Sequence, residues 1–231
     1  RDSCWAQADT LPDERAFLSL FVADGAGSAL RGGEGAELAI EAAAAFLSKK
    51  LKQGEFGLND LLATELLVAV RERLLTRAEA LTLKARDFAC TFIGVLSSAV
   101  GTLVLQVGDG GAVVDVGVGL EVSVLPMVGE FVNMTHFVTD EDAISVMVTK
   151  AYPDRALRVA AFTDGIQRLA LNLASNTPHE PFFAPFFNGM AKASPEQEDL
   201  LQGLLKKFLG STAVNERTDD DKTLALAVWM G

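Results

Sequence analysis

Residues 16–23, AFLSLFVA, form an almost unbroken apolar run that ends in Asp24-Gly25. A run of this length and composition reads as a strand buried on both faces, and such a strand needs a layer of structure on either side of it. Asp24 stands where the strand emerges, followed by a flexible Gly-Ala-Gly-Ser loop. A carboxylate at the mouth of a buried strand is costly unless something positive meets it. Gly25 lets the backbone approach such a partner closely and offers its own carbonyl. A hard cation bound by carboxylate and carbonyl oxygen would satisfy both. Read alone, the pair also fits an ordinary strand-to-turn Asp-Gly, the commoner case.

The 231 residues and 49% apolar content allow one sizeable buried core. Thirty-one acidic residues against 20 basic ones give a net charge of −11. A nucleic-acid partner would need a basic face, so that class is set aside, and an acidic chain attracts cations while repelling anionic membranes. Cys4 and Cys90 are the two cysteines, with no paired spacing and no Cys/His cluster. A disulfide framework and a zinc site are therefore not expected, and a reducing cytoplasm fits. The span from Phe88 to Gly108 carries no charge and has nominally the length to cross a bilayer. Ser97, Ser98, Gly101 and Thr102 break it at the centre, so a buried β-hairpin is the better reading. No signal peptide is visible ahead of this domain, although the chain starts abruptly at Arg1.

In chain order, residues 1–15 read as polar and irregular. Two helices are expected, over 34–51 and from Asn59 to about Lys84, as an antiparallel pair laid on a sheet. Strands follow at Phe88–Leu96, Thr102–Val107, Ala112–Val118 and Glu121–Leu125, in the manner of an antiparallel meander. After a looser stretch come strands Ile144–Lys150 and Leu157–Phe162, a helix over Ile166–Ala174 and a loop over Thr177–Phe183. A helix over Pro195–Leu209 and a closing strand over Thr223–Met230 complete a single α+β domain spanning 1–231, its N-terminal edge open to truncation.

Four strand ends now share one grammar. Asp24 follows AFLSLFVA, Asp109 follows TLVLQVG, Asp164 follows LRVAAFT, and Asp219, Asp220 and Asp221 precede TLALAVWM. Carboxylates gathered without compensation repel one another. Divalent cations resolve that conflict, and an oxygen-only ligand set favours magnesium or manganese over zinc.

These segments, in this order (VADGAGSA, ACTFIGVL, VGDGG, FTDG and DDDKT), resemble the metal-dependent protein serine/threonine phosphatases of the protein phosphatase 2C family. The resemblance covers nearly the whole chain and is closest to the bacterial branch, with its ADGAGSA and a GEFVN-like segment. It implies a four-layer α-β-β-α sandwich with two central, mainly antiparallel sheets. It also implies a two-metal centre of Mn²⁺ or Mg²⁺, with Asp24 shared by both ions and Gly25 supplying a backbone carbonyl. Asp164 and Asp220 would hold one ion, Asp2 of the opening Arg-Asp-Ser would act through bound water, and Asp109 with Asp164 matches an accessory third ion of some members. Asp24, Asp164 and Asp220 are thus the expected catalytic residues. The implied reaction is hydrolysis of phosphoserine and phosphothreonine in proteins by a metal-activated water, with a phosphoprotein substrate, a cognate Ser/Thr kinase, and neither nucleic acid nor membrane as partner.

Departures from the family pattern are informative. Ala26 stands where many members carry His, a proposed acid for the leaving alcohol, and Gly110 stands where the family has Ser. The Thr-x-Asp-His-Ser segment is missing, so a reduced flap is expected, and the family's upstream strand and phosphate-gripping arginine lie before Arg1 or are absent. Ala26 and the reduced flap support an alternative, a phosphatase-like module without turnover that serves as a regulatory partner. A dinucleotide site is disfavoured, because Leu30 breaks G-x-G-x-x-G after Gly25 and Gly27. His136 and His179 read as loop histidines in surface or hydrogen-bonded roles, Cys90 as inert core, and Phe182, Phe183, Phe186 and Phe187 as packing.

Overall fold

A computed structural model describes residues 2–54, 56–124 and 135–231. The chain opens with strands β1 (Asp2–Thr10) and β2 (Ala16–Asp24), then helices α1 (Gly32–Gln53) and α2 (Asp60–Ala80). A 3₁₀ turn at Ala85–Phe88 leads to β3 (Phe92–Ser98), β4 (Gly101–Val107), β5 (Gly111–Asp115) and β6 (Glu121–Val124). Next come α3 (Ala143–Val146), β7 (Val148–Tyr152), β8 (Arg158–Phe162), α4 (Gln167–Ala170) and the short pair β9 (Leu171–Asn172) and β10 (Thr177–Pro178). Helices α5 (Glu180–Met190), α6 (Glu198–Leu209) and α7 (Thr212–Asn215) precede the last strand, β11 (Leu224–Val228).

Two antiparallel sheets form the centre, one of five strands in the order β1-β2-β3-β4-β7 and one of four in the order β11-β8-β5-β6. Alternation along each strand divides the apolar residues between layers. Phe17, Phe21 and Ala23 of β2 join Phe92, Leu96, Leu103 and Leu105 in a core beneath α1 and α2. The intervening Leu20, Val22, Ile93, Val95 and Val104 face Ala112, Val114, Val159, Ala161 and Ala225 between the sheets. The other face of the second sheet carries Val113, Ala160, Phe162 and Leu224 against Ile166, Phe183 and Phe187. The result is an α-β-β-α sandwich, and it explains why the central strands read as continuous apolar runs although their sheets are antiparallel: β2, β3, β4, β5 and β8 are covered on both faces. No helix among the described residues is long and apolar enough to cross a membrane.

Local chemistry sets the helix ends. Asn59 caps α2 by accepting a hydrogen bond from the Leu62 N–H at 3.2 Å. Gly54 takes a left-handed φ of 79° after α1, whose last turn carries Lys50 and Lys52. Ion pairs Glu34–Arg77 (2.8 Å) and Lys50–Glu65 (2.5 Å) join opposite ends of the two helices, so they run antiparallel as expected.

Several boundaries differ from the sequence reading. Residues 2–10 are not irregular but form β1, which pairs with β2 over its full length, Asp2 opposite Asp24 and Thr10 opposite Ala16. The uncharged span is a hairpin as expected, but the four strands after α2 are no single meander. Hairpins β3-β4 and β5-β6 belong to different sheets, and the chain crosses between them at 108–110. Residues 143–146 turn as α3 before β7, and helix α4 stops at Ala170, where β9 begins. The expected loop over Thr177–Phe183 is largely β10 and α5, because Pro181 sits in the first helical turn, where a missing N–H costs nothing, while Phe183 and Phe187 bury one helical stripe. The GEFVN-like segment and the end of the strand expected at Glu121–Leu125 lie outside the described residues.

Candidate metal centre

Asp24 reaches the protein's acidic cleft because β2 cannot end elsewhere. Leu20, Phe21, Val22 and Ala23 are all buried, and the next residues are stitched to the segment before β3. The Asp24 N–H donates to Thr91 Oγ1 (3.1 Å), the Thr91 N–H donates to the Asp24 carbonyl (2.8 Å), and the Ala26 N–H donates to the Ala89 carbonyl (2.9 Å). Glycine at 25 is a packing requirement. A Cβ there would stand 2.3 Å from the Gly32 carbonyl carbon and 2.6 Å from the Gly33 nitrogen, and a Cβ at Gly32 would stand 2.6 Å from the Ala26 carbonyl oxygen. The two glycines let the strand end and the start of α1 touch backbone to backbone.

Asp164 follows β8 in the second sheet. Thr163 beside it donates its hydroxyl to Asp2 Oδ2 (2.7 Å) and accepts from the Thr223 N–H (3.1 Å), so one threonine ties the first strand, β8 and the approach to β11 together. Gly165 makes room for the loop carrying Asp220: a Cβ at 165 would lie 1.9 Å from the Asp221 carbonyl oxygen. Asp109 occupies the crossing between sheets, where Gln106 Nε2 holds the Gly108 and Gly110 carbonyls at 3.1 and 2.9 Å. Its Oδ2 accepts from Thr135 Oγ1 (2.6 Å) and its carbonyl from Gln167 Nε2 (3.2 Å). Asp220 is exposed, and its Oδ1 accepts from the Asp221 N–H at 2.9 Å.

The fold thus brings the residues singled out in the sequence to one place. A cleft of about 840 Å³ is lined by Asp24, Gly25, Asp109, Asp164, Asp220 and Asp221, and Asp2 lies opposite Asp24 in the β1–β2 register. The charges oppose one another. Burial, then the hydrogen bond and charge of Asp2, then Asp164, push the Asp24 carboxyl up to about 8. Burial followed by Asp109, Asp220 and Asp2 pushes Asp164 up to about 6. Asp164 Oδ1 is buried with no hydrogen-bond partner among the described residues. An unsatisfied buried oxygen, an all-oxygen donor set and mutual repulsion together fit a hard divalent cation.

Threonines 91, 135, 163 and 223 and the packing glycines 32 and 165 escaped the sequence reading, although Thr163 and Gly165 flank Asp164 within FTDG. His136 is not alone: its ring and the carboxylates of Asp140 and Asp142 offer ligand atoms all within 4.8 Å of one another, next to Thr135. Asp140 Oδ2 accepts from the Phe137 N–H at 2.8 Å, and His136 Nδ1 is 3.9 Å from Asp142. His179 bonds the Leu169 carbonyl (3.1 Å), a hydrogen-bonded role, and Cys90 is fully buried.

A family model described as protein phosphatase 2C matches residues 5–210. Serine/threonine-protein phosphatase 3 of Escherichia coli (strain K12) is 60% identical over 229 residues, which cover 99% of this chain and 90% of that protein. The chain belongs to the protein phosphatase 2C family. The solved serine/threonine phosphatase of Staphylococcus aureus shares the fold, with a TM-score of 0.58 at 13% identity, covering 99% of this chain and 89% of that one. A bacterial serine phosphatase gives 0.59 at 13% identity, over 96% and 90%. Phosphatases of the 2C family are metal-dependent, and the cleft lined by Asp24, Asp109, Asp164 and Asp220 accords with that.

Proposed function

We propose that this chain hydrolyses phosphoserine and phosphothreonine in proteins with the help of divalent cations, Mn²⁺ or Mg²⁺. Support comes from family membership, from the 60% identical relative named a serine/threonine-protein phosphatase, and above all from the gathering of Asp24, Asp109, Asp164 and Asp220 on one cleft. Asp24, the Gly25 carbonyl, Asp164 and Asp220 would hold two ions, Asp2 would act through water, and Asp109 with Asp164 would take a third. Bound there, the cations would supply a nucleophilic hydroxide near neutral pH and charge neutralisation for the phosphoryl oxygens.

The chain's own residues perform the positioning. Thr163 orients Asp2, the Gly25–Gly32 contact fixes the strand end, and Gly165 seats the loop of Asp220. Ala26 has no proton to give a leaving alkoxide, so that proton must come from water or from another residue of the cleft. Neither cysteine enters the chemistry: Cys90 is buried, and burial followed by the charge of Asp24 pushes its thiol up to about 12, far from the thiolate a nucleophile needs. A phosphoprotein substrate, a cognate Ser/Thr kinase and a cytoplasmic setting complete the proposal. One domain spans 1–231.

The test is hydrolysis of p-nitrophenyl phosphate and of phosphopeptides with added Mn²⁺. Activity is expected to vanish with EDTA, to ignore iodoacetamide and to favour phosphoserine and phosphothreonine over phosphotyrosine. Full activity after exhaustive chelation would remove the metal mechanism, and a folded, metal-loaded protein without turnover would favour the regulatory module.

A further inference from the structure

The acidic cleft has one wall of opposite sign. Arg31, immediately before α1, is the sole cationic side chain among the described residues that line it. In a chain of net charge −11, a cleft lined with carboxylates repels a phosphomonoester dianion until something positive faces it. Arg31 is held by its stem. Its N–H donates to the Asp87 carbonyl (2.7 Å), its own carbonyl accepts from the Gly35 N–H (2.9 Å), and its Nε lies 3.0 Å from Glu34 Oε2. Glu34 in turn gives Oε1 to Nε and Nη2 of Arg77, both at 2.8 Å. Glu34 therefore engages Arg31 along the Nε edge, and its terminal nitrogens have no hydrogen bond or ion pair with any described residue. A guanidinium fixed at its base with its fork open suits two oxygens of one phosphate.

We infer that Arg31 binds the phosphoryl oxygens of the substrate and of the released inorganic phosphate. The inference deepens the phosphomonoesterase reading of this cleft and rests on it. Arg31 then sets affinity for the phosphate, whereas the carboxylates answer for the metal, and the two roles separate in measurement.

Manganese-loaded parent, Arg31→Ala and Arg31→Lys are compared with p-nitrophenyl phosphate and a phosphothreonine peptide, with inorganic phosphate as inhibitor. Arg31→Ala is expected to raise both KM and the phosphate inhibition constant about ten- to a hundredfold, as for a lost charge-assisted hydrogen-bond pair. Its kcat should stay within about threefold, since the loss falls on ground and transition states alike. Arg31→Lys, which keeps the charge without the fork, should recover part of the affinity. Calorimetric Mn²⁺ affinity should be unchanged in all three. Unchanged KM and phosphate inhibition in Arg31→Ala would overturn the inference, as would a fall in Mn²⁺ affinity that accounts for the lost activity. A parent without turnover would sink the proposed function instead. Calorimetry with inorganic phosphate on the manganese-loaded proteins then reads Arg31 directly, and equal affinity in parent and Arg31→Ala would refute it.

Discussion

Asp115 and Asp164 stand at opposite ends of the same pair of strands, β5 and β8, and the protein treats them in opposite ways. Asp115 ends β5 opposite Arg158, while Asp164 follows Phe162, which pairs with Gly111 at the other end. Burial alone would raise the Asp115 carboxyl. The Arg158 hydrogen bonds (2.8 and 2.5 Å), the amides of Gly117 and Gly119 (2.8 and 3.1 Å) and the Arg158 charge outweigh it and hold the group below the ordinary carboxylate range. At the other end, burial and three neighbouring carboxylates raise Asp164, and Asp24 across the cleft is raised further. One end of the sandwich neutralises its acid internally, and the other concentrates acids around open space. The first arrangement holds the fold together, and the second costs stability that a bound cation, as proposed, would restore.

The widest separation between the two ends is expected in turnover. Asp24→Asn, which keeps the shape and removes a charge on which the proposed cation site relies, should lower kcat by about 10³-fold or more. Asp115→Asn should leave turnover per folded molecule unchanged, and equal losses in the two variants would erase the distinction. Gly165→Ala is the next strongest intervention. Its Cβ would collide with the Asp221 carbonyl at 1.9 Å, so the loop of Asp220 must move. A 1 Å displacement of a catalytic group costs about 10²-fold, and activity should fall by that order while the fold persists by circular dichroism. In urea unfolding, the order of effects reverses. Asp115→Asn should lose on the order of 2 kcal/mol, a buried charged pair discounted because Arg158 is partly exposed, whereas metal-free Asp24→Asn should hold or gain stability.

A pH dependence of opposite sign is also expected at the two ends. Unfolded, Asp24 and Asp164 release their protons near 3.8, and folded near about 8 and about 6. Between those values the folded state binds more protons, so the metal-free protein should lose stability as pH rises from about 4 to about 8. Asp115 is lowered, so its contribution is present at neutral pH and lost on acidification. Melting temperatures across pH for the parent and Asp24→Asn check this: the variant should show a flatter decline towards pH 8.

Much of this architecture was legible in the sequence because burial on both faces writes itself as unbroken apolar runs, and a carboxylate beside glycine at the end of such a run stands out. Asp24, Asp109 and Asp164 were found that way. The edge strand β1 was not, because Cys4, Trp5, Ala6, Gln7 and Ala8 are all exposed and DSCWAQADT offers no apolar face. Helix α5 was hidden by Pro181 and Pro185, which read as breakers, although Phe183 and Phe187 already had the spacing of one helical face. The passage of the chain from one sheet to the other at 108–110 is a tertiary event that no local pattern encodes. Arg31 escaped notice for a similar reason: only the fold places it on the wall of the cleft.

The claim that these carboxylates are gathered for a cation is tested most directly by the melting temperature of the chelated protein as Mn²⁺ is added back. A ligand that binds the folded state alone stabilises it in proportion to the logarithm of its concentration above Kd. The parent should therefore show a rise that continues with Mn²⁺ concentration, Asp115→Asn a similar rise from a lower start, and Asp24→Asn a far smaller one. An Asp24→Asn protein whose melting temperature climbs with Mn²⁺ as steeply as the parent's would contradict the account.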